Sequence, residues 1–547
     1  MKPKKRKFGC LIAALLALIF LPYIYLTFFH IPSRTYTREN TGLERLPPGV
    51  AIPMMPDGSR VDYVRAYQLI YPRLTENPEE NGWREIVSFL GPVFFINENP
   101  VRQTSDDEEY RRRQLEFFEE RRPDWEAYCR KLALAPESFS VEESLARISG
   151  PSYVERTIRE RLEAEARALF METEEDENAV YIGEDFSEIV DQKLYSTGWS
   201  VEEYPEMAAW VAEHEEFLAL AAKAVRRERY ILPFYRNGDK PLVGTLIPDI
   251  GFQAVLRNCF LIRATMNLQL GETEKALADA ESIWRLGRHL RRTPVFLVSY
   301  MVGIRCENDA RKLTLEILRR NTVPPEQMLA FSEMLDALPA PVSLEEIEDV
   351  EHWAAYEFFD RIPLDDLWSD LKFYGSVHWM LDHTIAAERF TELKKMNLDD
   401  EAIRELSRDV PRKAAFSWSV RARSVLAGEF IYSLMIPAMK HVHQSTDQAE
   451  CSLQLTRITL SLKCYHAEHG AYPETLDALV PEFLTQIPIM PGLTPTEPRP
   501  LTYTRRGDGF LLAAVKPGFD PEKEPTKEDE DGYEYEREML FVVKMPD

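Results

Sequence analysis

The pattern of apolar and polar positions divides this chain into three regimes. The first is an unbroken uncharged run from Phe8 to Phe29, 22 residues long. At ~1.5 Å per helical residue it matches a ~30 Å hydrocarbon core. Lys2, Lys4, Lys5, Arg6 and Lys7 precede it, and such a basic flank is retained on the cytoplasmic side while the following chain is exported. The exit reads Tyr-Ile-Tyr-Leu-Thr-Phe-Phe-His30, an aromatic belt with no A-x-A cleavage site. The expectation is an uncleaved signal anchor: residues 1–7 a cytoplasmic tail, 8–29 a transmembrane helix and the bulk extracytoplasmic in a bacterial cell membrane. Residues 30–60, with Pro32, Pro47, Pro48, Pro53 and Pro56, read as a Pro-rich stalk.

The second regime, from about 61 to 469, is dominated by helical periodicity. Residues 61–202 form a helical region whose Arg111–Arg113 and Arg121–Arg122 alternate with Glu pairs, as on a solvated helix. Residues 203–436 read as a body of helical hairpins, with helices near 203–231, 250–270, 273–292, 294–320, 343–361, 365–397, 400–409 and 413–436. Gly271 closes one helix before Thr273 opens the next, and Ala276 and Ala280 permit close approach, a tetratricopeptide-like α-hairpin without a repeated 34-residue period. Pro437 is expected to interrupt the chain before a long helix over 438–469. That helix carries Cys451, Leu455, Ile458, Leu462, Tyr465 and His469 at steps of three and four, and Gly470 stops it.

The third regime has period two. A short helix at Glu474–Leu484 and a Pro-rich loop precede strand-like runs at Leu501–Arg505, Gly509–Val515 and Met539–Lys544. An Arg506-Gly507-Asp508 turn joins the first two. The fold class expected is mainly α: a transmembrane helix, a large helical body, and a long helix plus small antiparallel sheet over 437–547.

Composition sharpens this picture in two ways. The net charge of −25 becomes −30 once the five N-terminal positives are set aside, a surface that repels nucleic acid and anionic headgroups. Of six cysteines, Cys10 lies in the anchor and five follow: Cys129, Cys259, Cys306, Cys451 and Cys464. Cys451 and Cys464 sit about 20 Å apart on one helix and cannot bridge. Cys259 and Cys306 could meet, but buried thiols are the preferred reading.

The stretch Tyr465, Gly470, Tyr472-Pro473, Leu476, Leu479-Val480-Pro481, with Pro500-Leu501-x-Tyr503 and Gly507-Asp508-Gly509-Phe510 beyond, resembles the C-terminal signature of the major pseudopilin of type II secretion. Together with Gly271, Ala276 and Arg285 to Pro294 it is more similar still to a group of uncharacterised membrane-anchored bacterial proteins with that tail. The resemblance implies a pseudopilin-like α+β module and no established activity. Pilin assembly is rejected, because Ala14 stands where prepilins have Glu and the tail lies some 450 residues from the anchor. Pseudopilins of this type hold Ca²⁺ in a late loop, and Gly518–Asp531 with Asp520, Glu528, Asp529, Glu530 and Asp531 takes the corresponding place. Without the glycine turns of that loop, a solvated acidic segment is the preferred reading.

His466 and His469, one turn apart on a helix, are the candidate zinc ligands, whereas His441 and His443 point apart. Capping or packing is preferred for His469, so no cofactor is expected. No G-x-S-x-G, H-E-x-x-H, Walker-type or G-x-G-x-x-G run is present, and no catalytic residue is assigned. A hydrolase would have to gather residues such as His289, His352, His378 and His383. Trp199, Trp210, Trp284, Trp353, Trp368, Trp379 and Trp418 read as helix packing. The functional expectation is protein–protein interaction or scaffolding at the cell envelope; the alternatives are an accessory part of a secretion or pilus-like system, and an envelope hydrolase.

Overall fold

The computed structural model describes residues 35–92, 95, 108–141, 143–144, 200–202, 204–235, 242, 247–320, 323–361, 382–396, 398, 400–414, 420–494, 497–498, 500–514 and 542–545. The protein is mainly helical. In chain order the helices are α1 (Tyr63–Ile70), α2 (Gly82–Leu90), α3 (Glu108–Lys131), α4 (Pro205–Glu213), α5 (Glu215–Val225), α6 (Ile247–Gln269) and α7 (Thr273–Arg292). They continue with α8 (Leu297–Arg319), α9 (Pro325–Asp336), α10 (Leu344–Arg361), α11 (His383–Met396), α12 (Asp400–Ala414) and α13 (Val420–His469). Strands β1 (Gly492–Thr494), β2 (Glu497–Pro498), β3 (Leu501–Arg506), β4 (Gly509–Ala514) and β5 (Val542–Met545) follow. Among the described residues no helix is long and apolar enough to cross a membrane. The expected anchor at 8–29 lies outside them, as do Asp520, Asp529 and Asp531.

The chain divides into two compact units, each assembled from three stretches, and these cut across the consecutive regions read from the sequence. The first takes the chain up to Arg73, a piece around Leu242, and Glu345–Val442. In it, residues 35–62 fold as successive turns with Asn40, Thr41, Leu43 and Leu46 buried, where the Pro-rich composition predicts an extended stalk. The reason is a set of side-chain anchors to α10. Trp353 Nε1 donates to Gly42 O at 2.7 Å, and Arg45 meets Asp349 at 2.6 Å and Glu345 at 3.2 Å. Pro437 does not end a helix: α13 runs unbroken for 50 residues. A mid-helix proline costs ~3 kcal/mol, which burial of Tyr432, Met439 and Val442 on the flanking turns offsets.

The second unit takes Leu74–Gly238, Thr245–Leu344 and the chain from His443. The single helix expected near 203–231 is two, α4 and α5, broken at His214. Its ring stacks on Trp210, and its Nδ1 lies 2.9 Å from Trp210 O, competing with the backbone for that carbonyl. The α6–α7–α8 hairpins are as expected. Gly271, at φ 76°, ends α6, and α7 then packs on both neighbours. The α7–α8 crossing is closest at Gly287 and Gly303: a Cβ at Gly287 would stand 2.7 Å from Gly303 O and 2.8 Å from Glu307. Gly287→Ala is therefore expected to cost about 1–3 kcal/mol, as overpacking does. Chemical denaturation checks it; an unchanged midpoint would mean the two helices part freely.

The tail of this unit is a three-stranded antiparallel sheet of order β3-β4-β5, with Leu501 opposite Ala514, Arg506 opposite Gly509 and Phe510 opposite Met545. β1 and β2 form a separate short hairpin that the sequence reading does not contain. The helix expected at Glu474–Leu484 is one 3₁₀ turn, Leu476–Leu479. β3 alternates half-buried and exposed residues as a period of two requires, while β4 is buried along its whole length. Tyr503 OH donates to Pro473 O at 2.8 Å and Tyr472 packs edge-on against Phe510, which seats the sheet beside the end of α13.

Candidate functional site

One open cavity of about 240 Å³ lies in the second unit, lined by Asp336, Gln454, Arg457, Thr485, Gln486, Pro488 and Ile489. Three elements build it, two fixed by apolar anchors and the third by side-chain contacts to backbone carbonyls at its ends. α9 starts with Pro at its first position, buries Met328, Phe331 and Leu335, and ends at Asp336. α13 buries Leu455, Thr456 and Ile458 and so turns Gln454 and Arg457, one turn apart, toward the cavity. Cys464 Sγ approaches Pro325 O at 3.8 Å and joins α13 to the start of α9. The third element, Thr485–Ile489, is held at both ends. Ser461 Oγ donates to Phe483 O at 3.0 Å before it, and Cys451 Sγ reaches Pro491 O at 3.8 Å after it. Between these pins Ile489 stands 80% exposed at the rim.

The chemistry of the cavity is set by one ion pair. Arg457 Nη2 meets Asp336 Oδ1 at 2.6 Å, and Nη1 donates to Gln454 Oε1 at 2.9 Å. The guanidinium is mostly buried, whereas Asp336 is 58% exposed. Arg457 Nε is buried with no acceptor. Opposite charges, two amides and a hydroxyl thus surround one opening. None of these polar side chains belongs to a recognisable motif of the sequence. The only signal in it is the spacing Gln454-x-x-Arg457 beside the apolar stripe, which does not reveal Asp336 at all.

Two buried polar networks stiffen the same unit. Glu307 of α8 lies between Arg288 Nε, 3.0 Å away, and Arg291 Nη1 of α7; Glu450 of α13 sits 2.9 Å from Arg291 Nη1 and 3.3 Å from Arg288 Nη1. Arg263 clasps Asp279 at 2.6 Å and Glu215 at 2.9 Å, tying α5, α6 and α7 together, while burial pushes the Asp279 carboxyl up to about 6 against the pull of Arg263. Elsewhere Trp83 Nε1 donates to Tyr128 OH, which donates to Asp249 Oδ2, both at 2.7 Å. Asp249 Oδ1 has no partner, and burial drives this carboxyl up to about 7.

His466 and His469 each turn to an aromatic ring of their own. His469 stacks on Tyr465 at 4.0 Å and His466 on Tyr472 at 4.5 Å, so both rings pack against aromatics. Among the described residues no group of three His, Cys, Asp or Glu side chains is placed to hold a metal. His289 is lodged against Val225 O in the second unit, its pKa lowered by burial to about 4. His352 is buried in the first unit beside Phe390 and is held neutral, first by burial and then by Lys394. His378 and the His383 side chain lie outside the described residues. Cys129, Cys259, Cys306, Cys451 and Cys464 are buried thiols, and Trp210, Trp284 and Trp353 are core residues.

Comparison of the chain with protein-family models, curated proteins and solved structures yields no match.

Proposed function

We propose that this chain is a single-pass, membrane-anchored extracytoplasmic protein that acts by binding other proteins at the cell envelope. The observation that carries the location is the five-cation, 22-residue apolar N-terminus. Support for an interaction role comes from the body: consecutive antiparallel hairpins of long helices offer extended surfaces of the kind binding scaffolds use. The strongly acidic exported part favours partners with basic or neutral contact faces.

Fusions of a periplasm-active phosphatase and a cytosol-active fluorescent protein after residue 60 test the topology. The expected result is an active phosphatase and a dark fluorophore; the opposite pair overturns the reading. Crosslinking in intact envelopes, then purification of the detergent-solubilised chain, tests the role. A stoichiometric partner recovered in replicate supports it, and a chain recovered alone each time counts against it. The pseudopilin-like signature over 460–515 favours a second reading, an accessory part of a secretion machine, which is selected if the crosslinked partners are secretion components.

A further inference from the structure

We propose that the cavity between α9, α13 and the Thr485–Ile489 loop binds a small zwitterion, a free α-amino acid. Arg457 would take its carboxylate and Asp336 its ammonium. The inference stands apart from the envelope-scaffold reading, because it rests only on the cavity. Its volume of about 240 Å³ lies below the usual range for drug-sized ligands and is too small for a folded segment. The charges facing it, one guanidinium and one carboxylate, sum to zero and stand on opposite elements.

The existing pair is built to open. An ion pair with a solvent-exposed partner contributes only about 0–1 kcal/mol, and Asp336 is more than half exposed at the last residue of its helix. Arg457 is fixed independently of Asp336 by its burial and by Gln454. Asp336 also satisfies just one of the two N–H groups on that edge of the guanidinium, leaving Nε without an acceptor. A ligand carboxylate set side-on would meet Nε and Nη2 together, the bidentate geometry that makes Arg a carboxylate receptor. Asp336, released, would then face the ammonium. Gln486 and Thr485 line the opening with further hydrogen-bonding groups, and exposed Ile489 adds an apolar group to its lining.

The test is calorimetric titration of the detergent-solubilised full chain with each standard α-amino acid in turn. The best binder is then compared with its N-acetyl and carboxamide forms. Saturable binding of at least one free amino acid is expected, with a loss of about tenfold or more for each blocked form. Arg457→Lys, which keeps charge but not the fork, and Asp336→Asn should each weaken binding about tenfold or more at an unchanged melting temperature. If Arg457→Lys fails to fold, Asp336→Asn decides, since an exposed carboxylate is dispensable for folding. No saturation by about 10 mM for any amino acid, equal binding of the blocked forms, or wild-type affinity in a folded Asp336→Asn protein overturns the proposal.

Discussion

Glu307→Gln is expected to lower stability by about 3–5 kcal/mol, because it leaves two guanidinium groups in the interior without their shared counter-charge. Arg288, Arg291 and Glu307 are 3%, 0% and 1% exposed at their side chains, so water cannot replace the lost carboxylate. Glu450, at 25%, compensates only in part, and the Tyr300 ring under Arg291 supplies a weaker cation–π contact. The cluster joins α7, α8 and α13, so its loss should also loosen the cavity that α13 lines. Urea denaturation checks this, with Glu316→Gln as the control: Glu316 pairs with Arg319 and Arg320 at the surface, at 3.6 Å and 3.5 Å, and its loss should cost under about 1 kcal/mol. A Glu307→Gln effect no larger than the control would show that the cluster does not hold the helices.

A second large effect is a dependence on pH through Asp249. Its folded pKa, near 7, lies above the ordinary 3.8, so the folded chain keeps a proton that the unfolded chain releases. The group therefore supports the fold fully below about pH 4, and that support is lost as pH rises through about 7. The span corresponds to about 4 kcal/mol, from ~1.4 kcal/mol per pKa unit. In Asp249→Asn the amide oxygen can accept from Tyr128 OH, but no proton is exchanged. The variant should be less stable than the parent at pH 4 and gain on it steadily toward pH 8. Urea midpoints across that range measure the difference, and parallel curves for the two proteins would refute a raised Asp249 pKa.

Several elements were legible because their determinants are local. Gly271 and Gly470 close helices at φ 76° and 73°, the conformation glycine adopts without strain. The three- and four-residue steps of Cys451, Leu455, Ile458 and Leu462 do mark a buried face. The Gly507 turn does join two strands in register. What misled were local signals overridden at a distance. Prolines in 30–60 predict an extended spacer, yet Trp353 and Arg45 reach across some 300 residues to fold 35–62 down. Pro437 predicts a break, yet packing on both flanks carries the helix through it.

What the sequence determined by itself is the helix-dominated class, the helical hairpin region, the β3–β4 hairpin and a strongly acidic surface, since periodicity, turn glycines and net charge are properties of neighbouring or summed residues. Tertiary structure alone decided which charges meet. Arg457 and Asp336 are 121 positions apart, Glu450 lies 143 from Glu307, and Asp249 is 121 from Tyr128. A carboxylate reads alike in sequence whether water or a buried guanidinium surrounds it, and only the folded chain, by removing water, makes the two cases differ by kilocalories.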